Sequence, residues 1–250
     1  MGRSVTKSLN MLSPTNPKQK LKPIGCYPSR PHPVPQTLTQ LVNWYIKNIR
    51  PVRDKGVTAF QLNSTSGLHP TLLAAGDVIN LCTFGLHFDK KSGYLVKMEP
   101  HQRRIAHDLN FIEAKLKRRN ALSMKFKNFE EAYDFVAHVA STIRKANPNL
   151  RFGPTATYDV AMRLYYALQG LRPKDIVYFH SGAFEGIKNL YSNMNKPRPT
   201  KARSNIDHYT IDYTTLVAEP LLKSLSKLRA DEIEDLCCIL KDELKTILLP

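Results

Sequence analysis

Between Met1 and Arg53 the chain contains no aspartate and no glutamate. The first acid is Asp54, and the stretch before it carries Arg3, Lys7, Lys18, Lys20, Lys22, Arg30, Lys47, Arg50 and Arg53 with no compensating carboxylate. Acids return in force only near the end, at Asp231, Glu232, Glu234, Asp235, Asp242 and Glu243. Such end-to-end asymmetry marks a basic arm on a folded body.

Cysteine is scarce. Cys26, Cys82, Cys237 and Cys238 form no C-x-x-C pair, which argues against a disulfide framework and places the chain in a reducing intracellular compartment, cytoplasm or nucleus/nucleoid. The eight histidines are scattered, and His101 and His107 are six apart, not at helical metal-ligand spacing, so no metal site is expected. No run approaches the roughly 20 apolar residues of a membrane span. Residues 2–12, GRSVTKSLNML, resemble an organellar transit peptide in lacking acids, but the run is short and poor in arginine. Neither G-x-x-x-x-G-K-[ST] nor G-x-G-x-x-G occurs, so nucleotide-driven chemistry and a nucleotide cofactor are not expected; no cofactor is implied. There is no internal repeat.

What is present is positive charge. The formal net charge is +16 and the pI about 9.7. That excess points to a polyanionic partner, nucleic acid first and an anionic membrane surface second. With 250 residues and 42% hydrophobic side chains, a sizeable core can form.

The coarse organisation reads as a mainly α (α+β) fold, a helical body with a small β-hairpin and a disordered basic N-terminal arm. Residues 13–36 hold prolines 14, 17, 23, 28, 31, 33 and 35, each removing a backbone donor. Residues 1–36 therefore read as an arm, with a surface strap as the other reading. Residues 37–250 read as a single mainly helical domain, with a sub-boundary near residue 100 and an exposed basic loop at 195–205. A helix is expected over 37–50, capped by Thr37 or Thr39, with Leu41, Trp44, Tyr45 and Ile49 on one side. Residues 57–63 read as a strand, with a short helix as the alternative; a helix is expected at 70–82 and a hairpin over 86–98. Helices follow over 101–119 and over 129–146, the second opening on Asn128 with Glu131 three residues on. Its stripe is Phe129, Tyr133, Val136, Ala140 and Ile143. After the apolar run DIVYFHSG a helix is expected from about Ala183 to Tyr191. Residues 215–249 read as two helices, with one bent helix as the alternative; the first stripe is Leu221, Leu225 and Leu228. The second is Ile233, Leu236, Leu240, Leu244 and Ile247, with a fresh cap at Asp231 and Glu234.

The segment LRFGPTATYDVA, 150–161, joins a glycine to a helix that starts on proline. Gly153 allows a backbone conformation that other residues avoid, and Pro154 suits the first helical turn. The free N–H groups of such a helix start can hold a phosphate, with Arg151 beside it and Thr155 and Thr157 offering hydroxyls. Tyr158, Ala161, Leu164, Tyr165 and Leu168 should face the core. The segment resembles the hairpin and second-helix start of a helix–hairpin–helix DNA-binding motif, apolar-x-G-apolar-G-x-x-x-A. Phe152, Gly153 and Ala156 fit; Arg151 or Leu150 stands at the first glycine. Residues 129–146 would be the motif's first helix, so the likeness covers 129–168. It implies phosphate contact. DNA glycosylases built on this motif carry an aspartate in a V-D-T-H-V segment and in some cases a lysine after the hairpin. Here Tyr178 or Phe179, and Pro154 and Thr155, stand at those positions. The resemblance thus implies binding without lesion excision.

These observations lead to a non-catalytic nucleic-acid-binding protein, nucleocapsid-like or a DNA-binding accessory protein, with DNA and RNA both open. Its phosphate contacts are expected from Lys18, Lys20, Lys22 and Arg30 in the arm, from Arg103, Arg104, Arg118 and Arg119 at the ends of the 101–119 helix, and from Arg151, Gly153 and Thr155 at the glycine turn. Lys196, Arg198, Lys201 and Arg203 in the basic loop complete the set. Two alternatives come from other classes. One is a nucleic-acid-processing enzyme centred near His180, with Ser181 and Glu185 as neighbours and Gly182 and Gly186 letting a ligand approach. The other is an adaptor or homo-oligomer that meets a partner helix through residues 215–249.

Overall fold

The computed structural model describes residues 30–54, 75–89, 94–97, 108–150, 153–195 and 209–249. The strand expected at 57–63 and the start of the helix expected at 70–82 lie outside these residues, as do residues 1–29. The chain divides into two compact units interleaved in sequence: one comprises 1–26 and 55–170, the other 27–54 and 171–250.

In the first unit, α2 (Ala75–Phe84) leads into a hairpin of β1 (Leu86–Asp89) and β2 (Tyr94–Lys97); α1 (Leu38–Asn48) belongs to the second unit. The strands are antiparallel, with Leu86 opposite Lys97 and Asp89 opposite Tyr94. Three helices follow, α3 (Leu109–Arg118), α4 (Phe129–Ala146) and α5 (Pro154–Gln169). The start of α4 was legible residue by residue. The Asn128 side chain accepts from the Glu131 N–H at 3.0 Å. The Glu131 carboxylate reaches one residue further back than a capping box requires, accepting from Lys127 N–H at 2.9 Å. Glu130 and Glu131 in its first turn and Arg144 and Lys145 in its last complement the helix dipole. Every residue of the expected stripe is buried. Phe129 anchors it against α5, edge-on to Tyr158 at 5.6 Å and to Tyr165 at 5.8 Å between ring centroids.

Helix α5 is enclosed on nearly all sides from Thr157 to Ala167, Asp159 being half-buried; Leu168, expected in the core, is half-buried too. Even Arg163 is inside, its Nη1 donating to the Cys82 carbonyl at 3.2 Å and its Nη2 3.4 Å from Asp159. The helix ends at Gly170 with φ 65°, the left-handed cap that glycine takes without strain.

In the second unit, α1 (Leu38–Asn48) starts on Thr37, whose hydroxyl accepts from Gln40 N–H while the Gln40 side chain accepts from Thr37 N–H. Leu38, Leu41, Val42, Tyr45 and Ile49 are buried, and Trp44 is partly so. Strand β3 (Ile176–Phe179) leads into α6 (Ser181–Asn193), which starts two residues before and ends two after the expected span. Strand β4 (Tyr209–Asp212), which no sequence signal marked, pairs antiparallel with β3, Ile176 opposite Asp212. A short helix α7 (Tyr213–Ala218), a 3-10 helix at Pro220–Lys227 and helix α8 (Ala230–Ile239) complete the unit. Three residues per turn replaces Leu221 by Leu222 in the core, so the buried row is Leu222, Leu225 and Leu228. The break before α8 falls at Arg229, not at Asp231: Arg229 N–H donates to the Glu232 carboxylate at 2.8 Å.

The stripe Ile233, Leu236, Leu240, Leu244 and Ile247, which lies in the segment that the adaptor alternative gave to a partner helix, is buried within this unit's own core. Residues 30–36 lie against its C-terminal segment, Leu248 N–H donating to the Gln36 carbonyl at 2.7 Å. Among the described residues no helix is long and apolar enough to cross a membrane.

Candidate nucleic-acid interface

The densest exposed positive charge among the described residues follows from how α3 ends. Leu109, Ile112 and Leu116 turn one face of α3 into the core. The helix stops at Asn120, whose φ of 50° is a left-handed turn that asparagine tolerates. A 3-10 turn at Ala121–Ser123 and an extended stretch then run to the start of α4, pinned by buried Ala121 and Phe126. With Leu109, Ile112, Leu116, Ala121 and Phe126 facing inwards, the basic residues between them face water, as do Phe111 and Met124. Lys117, Arg118, Arg119, Lys125 and Lys127 are exposed, and Lys115 is half-exposed. No acid occurs between Glu113 and Glu130.

Part of this charge is compensated. Lys117 Nζ lies 2.6 Å from Glu113, which also accepts from Asn80 at 3.0 Å. Arg119 Nη2 lies 3.3 Å from His138 Nε2, a contact that suits a neutral imidazole accepting through that nitrogen. Among the described residues, the side chains of Arg118, Lys125 and Lys127 have no ion-pair or hydrogen-bond partner. Cations at a helix C-terminus favour the dipole, which accounts for Lys115, Lys117 and Arg118. It does not account for Lys125 and Lys127, which lie beyond the helix. These two were missed in the sequence because the reading stopped at the helix end; the signal was K-x-K after a buried turn.

At the glycine turn, Arg151 lies outside the described residues. Gly153 caps α5 with φ −103° and ψ −171°, an extended backbone open to any residue, and a Cβ there would meet nothing within 4 Å. The left-handed conformation that favours glycine is therefore not used at this position. The Thr157 hydroxyl, expected to face a ligand, is buried and donates to the Gly153 carbonyl at 3.3 Å. Thr155 is half-exposed. Lys18, Lys20, Lys22, Arg103, Arg104, Lys196, Arg198, Lys201 and Arg203 also lie outside the described residues. Arg30 is described and engaged, 3.0 Å from Asp242 and 3.6 Å from Glu243.

His180 sits at the end of β3, 6% exposed, with Nε2 paired to the Glu234 carboxylate of α8. The two glycines expected to admit a ligand admit α8 instead. A Cβ on Gly186 would lie 2.8 Å from the Cys237 carbonyl carbon, and one on Gly182 would lie 3.1 Å from Cys238 Sγ. Glu185 reaches outwards to Lys241 at 2.7 Å.

The acids of α8 form no solvated patch either. Asp231, Glu232, Glu234 and Asp235 are all buried. Arg50 grips Glu232 with two hydrogen bonds of 2.7 and 2.8 Å. This contact holds the Arg50 guanidinium above its ordinary pKa. Arg53 lies 3.2 Å from Asp231, and Tyr45 donates to Asp235 at 2.8 Å. Burial, and then the Asp235 charge, push the Tyr45 phenol well above its usual range. Asp54 accepts from Arg172 and Arg229, each at 2.7 Å. Burial alone would raise its carboxyl; the two guanidiniums outweigh that and hold it below the ordinary value. Among the described residues no group of histidine, cysteine and carboxylate side chains is arranged to hold a metal. The sequence matches no protein-family model, no curated protein and no solved structure.

Proposed function

We propose that the chain is a non-catalytic nucleic-acid-binding protein that contacts phosphates through exposed basic segments. The observation that carries this reading is the 115–127 segment, where Arg118, Lys125 and Lys127 point into water without a carboxylate partner among the described residues. Exposed, unneutralised cations are what a phosphate backbone binds, because each contact releases condensed counterions. The net charge of +16 extends the same argument to the whole chain. The burial of His180 against Glu234 supports a structural role for that histidine over a chemical one. Enclosure of the 233–247 stripe likewise favours this reading over a partner-helix adaptor.

The test is fluorescence anisotropy of the full chain with duplex and single-stranded DNA and RNA from about 50 to 300 mM salt. The expected result is a linear fall of log K with log[salt], steep by several units and similar for unrelated sequences. Salt-independent binding, or none at 50 mM, defeats the proposal.

A further inference from the structure

We propose that a cleft in the second unit, lined by Arg172, Lys174, Tyr213, Lys227 and Arg229, binds a phosphomonoester. The cleft has a volume of about 350 Å³ and none of its lining residues is acidic. Four of them are cations of two kinds. The two guanidiniums are braced from behind: Arg172 Nη2 and Arg229 Nη2 share Asp54 Oδ1, each at 2.7 Å, which fixes them relative to one another. Arg229 is held a second time by Glu232 at 2.7 Å, and Arg50 in turn compensates Glu232. The two ammonium groups are uncompensated. Among the described residues Lys227 Nζ meets only the neutral Asn43 side chain, at 3.3 Å. Lys174 is exposed and has no side-chain partner among the described residues. Asp231 adds to this bracing, 3.6 Å from Arg172 and 3.8 Å from Arg229. Three carboxylates therefore hold the two guanidiniums, and the two lysines carry the charge in the lining that no carboxylate offsets.

The chemistry and the size select the ligand class. Planar guanidiniums and mobile ammonium groups together suit a compact dianion with three oxygens, such as a terminal phosphate. The volume is at the lower end of about 300–1,000 Å³ for small-molecule sites, room for a phosphate with the group it esterifies rather than for a continuous strand. Tyr213 donates its hydroxyl proton to the Leu228 carbonyl at 2.9 Å, so it offers the ligand a ring rather than a donor. Such a phosphomonoester is either a free nucleoside monophosphate or the phosphorylated end of a nucleic-acid strand.

Calorimetric titration of the full chain with a nucleoside monophosphate, and with the same nucleoside lacking phosphate, tests the site. Saturable binding of the monophosphate, and not of the nucleoside, is expected. Lys174→Ala with Lys227→Ala should weaken it at least roughly tenfold, the scale of one lost charge-assisted hydrogen bond. Arg at both positions should retain it. Neither lysine holds a carboxylate, so the melting temperature should stay put; if the pair alters folding, Lys174→Ala alone carries the test. A 5′-phosphorylated oligonucleotide that outbinds its 5′-hydroxyl counterpart only when both lysines are present identifies a strand end as the ligand. Equal binding of the two oligonucleotides, with the monophosphate still bound, identifies the free nucleotide. Absence of saturable binding of both monophosphate and phosphorylated end overturns the proposal, as does binding unchanged in the lysine variants. Because the readout rests on Lys174 and Lys227, its failure leaves the reading of residues 115–127 standing, and the reverse holds as well.

Discussion

Gly186 of α6 meets Cys237 of α8 backbone to backbone: a Cβ on the glycine would fall 2.8 Å from the Cys237 carbonyl carbon and 2.9 Å from its Cα. No side-chain rotation relieves such a clash, so one helix must move off the other. Gly186→Ala is expected to destabilise the second unit by about 1–3 kcal/mol or more, the cost of overpacking a core. Gly153→Ala is expected to stay within about 1 kcal/mol of the parent, because that position is extended and open and only cap preference changes. Urea unfolding of both variants checks the contrast; equal midpoints would show that the helices can separate at no cost.

The His180–Glu234 pair gives a second test. Both side chains are buried, and His180→Ala leaves the Glu234 carboxylate without its imidazole partner. Breaking one side of a buried pair costs about 3–5 kcal/mol. Glu234→Gln with His180→Gln should recover part of that loss, because neither side then carries charge. If His180→Ala instead unfolds like the parent and abolishes a nucleic-acid reaction, the histidine is chemical and not structural.

Stability should depend on pH with opposite signs in the two units. In the second unit, Asp54 has a lowered pKa, so as pH falls the unfolded chain takes up its proton before the folded one. Its contribution is present above about pH 4 and lost as pH falls through the lowered value. With the carboxylate partly exposed, this is worth about 0–1 kcal/mol, and Asp54→Asn should flatten the acid limb. In the first unit, burial pushes the Cys82 thiol up to about 12. The unfolded thiol ionises near pH 8.5 while the folded one stays neutral, so stability falls as pH rises, by up to about 1.4 kcal/mol per unit. Unfolding midpoints of Cys82→Ala and the parent between pH 7.5 and 10 should diverge in slope.

How much of this was legible depended on sequence distance. Asn128 with Glu131 and the Leu86–Lys97 hairpin carry their signals within a few residues and formed where expected, and of the two caps offered for the first helix, Thr37 and Thr39, Thr37 is the one used. The helix containing Asp231, Glu232, Glu234 and Asp235 did not read as core, because four acids in five residues look like a solvated face. They are buried because Arg50 and Arg53, from far earlier in the chain, compensate them. Local pattern cannot carry a pairing of that span. Strand β4 was missed for a related reason. Its four residues mix Tyr209, Thr210 and Asp212 around one aliphatic side chain, and only pairing with β3 makes them a strand. The candidate interface was half legible: Arg118 and Arg119 at the helix end, but not Lys125 and Lys127 beyond it.

Those four residues settle the last prediction. If the 115–127 segment contacts the phosphate backbone, Arg118, Arg119, Lys125 and Lys127 each neutralise about one phosphate, and changing all four to Gln should lower the salt slope by roughly three to four units. Affinity should fall about equally for unrelated sequences, since phosphates carry no base identity. Folding should be nearly unchanged, because all four side chains are exposed and surface substitutions stay within about 0.5 kcal/mol. A quadruple variant whose slope and affinity match the parent would place the phosphate contacts elsewhere on the chain.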